Sequence, residues 1–376
     1  MAIKINWQDL QKRIINWQEV QKVMLNWNQI RPSWPTPPTY NYLCLKGVED
    51  GCEWRWVLPY GRWTPWAFFE TSTDLVNRED YIMTKWDHYS SPYTWPRITL
   101  NKDDVIYIRN KSTSVQSIYG YRFYISGGLL DMIWDVWFLL CKNNTSYIPD
   151  NWLKEVFNSC SLLQTAPSLP ATTLGRSCYY SMFGGCTSLT TAPQLPVATL
   201  ADDCYNSMFE GCTSLTAAPQ LPTTTLAEGC YVEMFNGCTS LTTAPQLSAT
   251  TLAAGCYAGM FAGCTSLTTA PSLPATMLAH DCYASMFAGC TSLMTLPSLS
   301  VTTLAEDCYY RMFYGCTSIK LSEEQIWEYQ TPYRIPTSWT WTLGLDSLRY
   351  MFEDTWWTFT GTPLINQTYY TSNQVI

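Results

Sequence analysis

Cysteine recurs through the middle of the chain at a fixed interval of 26 residues. A constant period of about 20–50 residues marks a repeat architecture, in which each unit packs on its neighbours because it cannot cover its apolar face alone. The sequence therefore predicts a solenoid of stacked units. Two cysteine series keep the interval, namely Cys160, Cys186, Cys212, Cys238, Cys264, Cys290 and Cys316, and Cys178, Cys204, Cys230, Cys256, Cys282 and Cys308.

Each unit is predicted to contain one short strand and one short helix. In the unit that begins at Cys186, the second half places Leu200, Cys204 and Met208 at steps of four, which is typical of the apolar stripe of a helix. The first half, SLTTAPQL, is rich in Thr and Leu and contains proline, as in a short strand followed by a turn. The predicted fold class is α+β, a solenoid of 26-residue strand–helix units.

The repeated motif also resembles a known family. Successive copies of it, with the pattern MFxGCTSLTTAPxLPATTLAxxCY, cover residues 150–320. They are similar to the BspA-like leucine-rich repeats of bacterial surface proteins and of some phage-encoded proteins. The resemblance implies a leucine-rich-repeat-type solenoid. The segment 42–128 is similar to the β-rich domain that often precedes such repeats, and the segments VIYIR and YGYRFYI independently predict antiparallel strands.

Four parts are expected along the chain. Residues 1–38 form an N-terminal attachment or oligomerisation arm, 39–130 a small antiparallel β domain, 131–320 the solenoid with its N-terminal cap, and 321–376 a C-terminal cap. The repeat pattern ends after Cys316, where the sequence continues KLSEEQIWEYQ.

The arm carries a ten-residue repeat with two interpretations. Its apolar residues fit heptad positions of an oligomerising helix, which would make the protein a homo-oligomer. Alternatively, each Asn-Trp marks a tight turn between strands; we favour strands, because EVQKVMLNWNQIRP resembles N-terminal segments of phage tail-associated proteins. Type I′ turns require glycine where Trp7, Trp17 and Trp27 stand. We therefore hypothesise that some tryptophans, including the pair at 356–357, are glycine in the natural protein.

Charge and hydropathy limit the kinds of partner and the cellular locations that are expected for the protein. The net charge of −8 gives no basic field for phosphate groups, so a nucleic-acid partner is not expected. The first eighteen residues lack the apolar stretch of a secretory signal, so Sec export is not expected. Asp131 and Asp135 interrupt the longest apolar run, so no membrane span is expected.

The chain offers few groups for catalysis or metal binding. Its two histidines, His88 and His280, are expected on the surface. The cysteines of one unit are 8 and 18 residues apart, which does not match the close pairs of zinc sites, and we expect them buried, reduced and unpaired. The acid pairs at 202–203 and 306–307 are expected to cap helices. Nucleotide-binding and hydrolase motifs are missing from the sequence. We expect no enzymatic activity, no cofactor and no metal.

The binding face is expected where the units differ, because their shared positions form core and turns. The last unit combines Tyr310, Arg311 and Tyr314, and aromatic residues with arginine are enriched at interface hot spots. The competing interpretation is that these three residues pack against the C-terminal segment that contains Trp327, Tyr329 and Trp339. Three rows vary among units, namely Tyr180, Asn206, Val232, Ala258, Ala284 and Tyr310; Ser181, Ser207, Glu233, Gly259, Ser285 and Arg311; and Gly184, Glu210, Asn236, Ala262, Ala288 and Tyr314.

These observations favour a phage virion-associated fibre or receptor-binding protein. Its arm would bind other virion proteins, and its solenoid would bind a protein or glycan on a cell surface. The alternative is a bacterial surface adhesin or host-interaction protein located at the cell surface. A third hypothesis is an enzyme with its site in residues 40–140, which the scarcity of histidine and of clustered carboxylates there disfavours.

Overall fold

The computed structural model describes residues 147–372 with gaps at 170, 196–198, 222, 300, 302, 336–345, 356–358 and 366. Before residue 147 it describes residues 48–51, Lys102 and the backbone of eight strands. The predicted arm at 1–38 lies outside these residues, as do His88, Trp339 and every tryptophan proposed to be glycine.

The eight strands form an antiparallel β region between Leu43 and Ile133. They are β1 Leu43–Gly47, β2 Cys52–Val57, β3 Phe69–Ser72, β4 Ile82–Met83, β5 Ile98–Leu100, β6 Val105–Asn110, β7 Arg122–Ser126 and β8 Leu130–Ile133. One sheet has the order β8-β1-β6-β3-β4 and the other β5-β2-β7, with antiparallel neighbours throughout. Strands β6 and β7 are the two segments that sequence alternation predicted as strands.

The first sheet continues into the repeat region. Strand β9 spans Tyr147–Ile148, β10 spans Leu163–Thr165 and β11 spans Thr173–Leu174. Strand β10 pairs in parallel with β8, and β11 pairs in parallel with β9. Beyond β10, parallel bridges repeat at 26-residue spacing from Thr165 to Thr191 and from Thr269 to Thr295. The β region and the repeats therefore share backbone pairing, and the repeats form a solenoid whose coils stack in the predicted register.

Each coil contains one run of turns where the sequence predicts a helix. We number these runs turn segments 1 to 8, and they comprise residues 150–159, 176–185, 202–211, 228–237, 254–263, 280–289, 306–315 and 346–354. The described residues contain no helix, so the strand–helix unit and the α+β class are not confirmed. The solenoid itself is confirmed by the 26-residue register of its hydrogen bonds.

Backbone amides alternate between two roles in a turn segment. In turn segment 2, the amides of Tyr180 and Met182 donate to the carbonyls of Ser177 and Tyr179, three residues back, as in β-turns. The amide of Tyr179 instead donates to the carbonyl of Cys204 in the next coil, at 3.0 Å. One amide in two therefore closes a turn, and the next joins neighbouring coils.

A four-residue period explains why turns form in place of a helix. Apolar residues at steps of four drift by about 40° per step around an α-helix, so a long run leaves the helix face. Consecutive four-residue turns keep such a run on one side. They require a left-handed residue at every fourth position, and Ser177, Ser181 and Gly185 have φ values of 51°, 49° and 71°. Glycine and small polar residues tolerate this conformation best.

Two columns of stacked rings run through the core. Phenylalanine rings from Phe157 to Phe352 lie 5.3–5.7 Å apart. Tyrosine rings from Tyr179 to Tyr309 lie 5.6–5.9 Å apart. The aligned leucines Leu189, Leu215, Leu241 and Leu267 are fully buried. All thirteen repeat cysteines, which are the two series given above, are buried, as predicted. The twelve from Cys178 to Cys316 are free thiols.

A further coil and a small sheet close the C-terminal end. Beyond Cys316, where the cysteine period ends, the amide of Phe313 donates to the carbonyl of Met351 and the Phe313 ring stacks on Phe352 at 5.3 Å. Turn segment 8 thus continues the stack after an inserted loop. The loop and tail contribute β12 Leu321–Ser322, β13 Thr331–Arg334 and β14 Thr368–Thr371, in the antiparallel order β12-β14-β13.

Candidate functional site: the arginine–tyrosine cluster at the last coils

The turn segments sort their residues into inward and outward positions. Pairs such as Cys178-Tyr179 and Met182-Phe183 are buried, and the residues between these pairs form the outer surface. The three variable rows lie at these intervening positions, as the sequence predicted. Most of their residues are at least partly exposed, although Ser181, Gly184, Ser207 and Gly259 are buried.

Arg311 is at the centre of the predicted site. Its guanidinium carbon lies 5.3 Å from the ring centroid of Tyr310 and 5.1 Å from that of Tyr314. A third ring, that of Tyr350, lies at 5.4 Å. Three tyrosine faces therefore surround one cation, at distances where ring and charge attract each other. The Nε atom of Arg311 is buried and has no hydrogen-bond partner.

Turn segment 8 supplies the rest of the site. The amide of Arg311 donates to the carbonyl of Arg349 at 3.0 Å, which sets the two segments side by side. The Arg349 guanidinium lies 4.7 Å from the Tyr350 ring, and its Nη2 donates to the Tyr350 hydroxyl at 2.9 Å. The rings of Tyr310 and Tyr350 meet edge to face at 6.1 Å. We call Tyr310, Arg311, Tyr314, Arg349 and Tyr350 the arginine–tyrosine cluster.

The cluster combines two permanent cations with three phenol rings. The hydroxyl of Tyr314 hydrogen-bonds the carboxylate of Asp354, which raises the pKa of Tyr314. Arg349 is exposed and lies 3.5 Å from Asp346. Such a surface can stack sugar rings or apolar groups on its tyrosines and can pair carboxylates with its arginines.

The sequence found three of these five residues and missed two. The competing interpretation named the C-terminal segment that contains Trp327, Tyr329 and Trp339. The cluster does pack against the C-terminal region 321–376, although through Arg349 and Tyr350. Trp327 is 92% exposed. The missing signal was the Met-Phe pair in RYMFEDT, which aligns with the Met-Phe pair in RMFYGC.

The other sequence candidates lie on the surface of the turn segments. Asp203 and Asp307 do not cap helices; both have left-handed backbones, with φ values of 54° and 52°. His280 is a surface residue, as predicted, and its Nδ1 lies 2.9 Å from Asp281 Oδ2. Glu233 is partly buried, and burial, followed by the charge of Glu210, raises its pKa.

Comparison with protein-family models, with curated proteins and with solved structures found no match for this chain. In the part of the chain that the structure describes, no helix has the length and hydropathy to cross a membrane. The case for function therefore rests on the chemistry of the surface.

Proposed function

We propose that this protein is a non-enzymatic recognition protein of a phage particle, a fibre or receptor-binding protein. Its arginine–tyrosine cluster would bind a protein or glycan on a cell surface. The observation that carries the proposal is the Arg311 guanidinium held among three tyrosine rings on the outer side of the last coils. The proposal also includes membership of the BspA-like leucine-rich repeats, which the repeated motif supports, and attachment to other virion proteins through residues 1–38.

The organisation of the solenoid supports a display role. The stacked rings, thiols and leucines take the shared positions, so substitutions at the outward rows change the surface without changing the core. Turn segment 5 has only alanine and glycine at its outward positions, whereas turn segments 7 and 8 together carry the five cluster residues. The five cluster residues therefore lie together at one end of the stack.

The chemistry of the cluster favours an acidic partner. Arginine and tyrosine are the residue types most enriched at binding hot spots. The two arginines, Arg311 and Arg349, supply positive charge at the cluster, and the carboxylates of Asp346 and Asp354 lie beside it. An acidic glycan supplies both features that the cluster can recognise, namely a ring face for the tyrosines and a carboxylate for arginine.

Binding of the labelled protein to host cells tests the site. Tyr310→Ala and Tyr314→Ala should each weaken binding by about tenfold or more, the loss expected at a hot spot. Tyr180→Ala is the matched control, because Tyr180 occupies the position of Tyr310 in turn segment 2 and contacts Lys154 instead. Unchanged binding by the cluster variants contradicts the proposed site. Weaker binding by a variant whose melting temperature has also clearly fallen contradicts it too, because loss of structure then explains the loss of binding.

Location tests the biological setting separately. Immunogold labelling should place the protein on purified phage particles. Labelling of the bacterial envelope without labelling of particles would support the adhesin alternative and overturn the phage assignment. It would leave the binding site to be judged by the cell-binding experiment.

A further inference from the structure

Two neighbouring coils bring three ligand-type side chains together outside the arginine–tyrosine cluster. Turn segment 6 begins His280-Asp281, and turn segment 7 begins Glu306-Asp307. The amide of Asp281 donates to the carbonyl of Glu306 at 3.1 Å, so the two pairs lie side by side in successive coils. The ligand atoms of His280, Asp281 and Asp307 all lie within 4.8 Å of one another.

The backbone holds the two aspartates in equivalent positions. Asp281 and Asp307 have φ values of 55° and 52°, so both side chains leave left-handed residues at the same point of their turn segments. Two carboxylates placed this way repel each other. A bound cation would relieve this repulsion.

The equivalent aspartate of turn segment 3 has a side-chain hydrogen-bond donor beside it that turn segments 6 and 7 lack. Asp203 occupies the same position in turn segment 3, and its Oδ1 accepts a hydrogen bond from Asn206 Nδ2 at 3.2 Å. The equivalents of Asn206 in turn segments 6 and 7 are Ala284 and Tyr310, which offer no amide. The Oδ1 atom of Asp307 is buried and has no hydrogen-bond partner. The Asp307 carboxylate, which lies within 4.8 Å of the ligand atoms of His280 and Asp281, thus has one oxygen without a hydrogen bond.

We propose that His280, Asp281 and Asp307 bind a divalent transition-metal ion of the zinc class, which joins turn segments 6 and 7. One imidazole nitrogen and two carboxylate oxygens suit borderline ions, whereas calcium and magnesium prefer oxygen alone. Nitrogen and carboxylate-oxygen ligands of tetrahedral zinc lie about 2.0–2.2 Å from the ion. The side chains of His280 and Asp281 are 51% and 38% exposed, so they can move the short distance needed. Water completes the coordination.

The two histidines of the chain make a direct test possible. Nitrogen-detected NMR of the full-length protein should show two imidazole spin systems, and the variant His280→Gln identifies which one belongs to His280. Titration with Zn²⁺ should shift the His280 nitrogens and leave those of His88 unchanged. Calorimetry with Zn²⁺ alone should give one site that His280→Gln or Asp307→Asn weakens at least tenfold.

The matched control is Asp203→Asn, which removes a carboxylate at the equivalent position of turn segment 3. It should leave the Zn²⁺ affinity unchanged. Equal weakening by Asp203→Asn and Asp307→Asn would show diffuse binding to surface acids and would overturn the site. An unchanged His280 spectrum at millimolar Zn²⁺ would overturn it as well. Melting temperatures of the variants in metal-free buffer verify that each one is folded.

Discussion

The Sγ atom of Cys212 lies 3.1 Å from the carbonyl oxygen of Phe183 in the preceding coil. The same contact joins Cys186 to Phe157 and Cys238 to Phe209, at 3.1 Å in both cases. The thiol donates to a carbonyl that also closes a turn. The thiols of the series that includes Cys212 therefore form hydrogen bonds between coils. They also fill the core as small apolar groups.

The repeat thiols should be unreactive in the folded protein. Burial raises the pKa of Cys238 and Cys290 to about 12, so thiolate, the reactive form, is scarce at neutral pH. With iodoacetamide at pH 7.5, mass spectrometry should find these two cysteines unmodified in native protein and fully modified in 6 M guanidinium. Disulfide-linked repeat peptides in a non-reducing digest, or rapid native labelling of Cys238, would contradict this burial.

A second prediction concerns the tyrosine column. The hydroxyl of Tyr205 is buried and has no hydrogen-bond partner, while its ring stacks between those of Tyr179 and Tyr231. An unsatisfied buried hydroxyl costs about 1–3 kcal/mol. Tyr205→Phe keeps the stack and removes the hydroxyl, so urea unfolding should show a stability gain of up to about 1 kcal/mol. Tyr205→Leu, which breaks the stack, should lose stability; a loss with Phe would mean that the hydroxyl has a partner.

Much of the architecture could be predicted from the sequence, because register and burial follow directly from a period. The 26-residue spacing gave the stack, and the apolar pattern gave the buried cysteines and leucines. The local conformation could not be obtained in the same way. Apolar residues at steps of four, such as Cys204 and Met208, satisfy a short helix and a run of turns alike. A left-handed residue at every fourth position distinguishes the turns from a helix. Residue types such as those of Asp203 and Ser207 do not by themselves predict a left-handed backbone.

The candidate site divides along similar lines. Tyr310, Arg311 and Tyr314 were found because they lie in one recognisable unit. Arg349 and Tyr350 were missed because turn segment 8 follows an insertion and lacks the cysteines, so it breaks the period. The proximity of His280 to Asp307 likewise depends on the contact between coils, which the spacing of residues within one unit does not reveal.

The left-handed positions give a third prediction. Gly259 has a φ of +61°, and a Cβ atom there would lie 2.9 Å from the Cγ of Glu233. Gly259→Ala should therefore lower stability through the backbone, by about 1–2 kcal/mol, and through this close contact. In a Glu233→Gly background the contact is gone, so the cost of Gly259→Ala should be smaller but not zero. A double-mutant cycle by urea unfolding measures the difference; strict additivity would contradict the contact.

Alkaline pH provides the last prediction. Burial raises the pKa of Cys230, Cys282 and Cys290 to about 12, from an ordinary value of 9.0. Below pH 9 these thiols are protonated in both the folded and the unfolded chain, so their contribution to stability is fully present. Above pH 9 the unfolded chain releases protons that the folded chain retains, and the unfolded state gains stability.

The free energy of unfolding should therefore fall as pH rises from 9 toward 12, with each such thiol adding about 1.4 kcal/mol per pH unit to the slope. Urea unfolding at pH 7, 8, 9, 10 and 10.5 measures the trend, and the slope should appear only above pH 9. Cys290→Ala is the matched control, because removing one thiol should reduce the slope by about 1.4 kcal/mol per pH unit while lowering stability at pH 7. A flat profile to pH 10.5, or an unchanged slope in Cys290→Ala, would show that these thiols ionise as readily in the folded protein as in the unfolded chain.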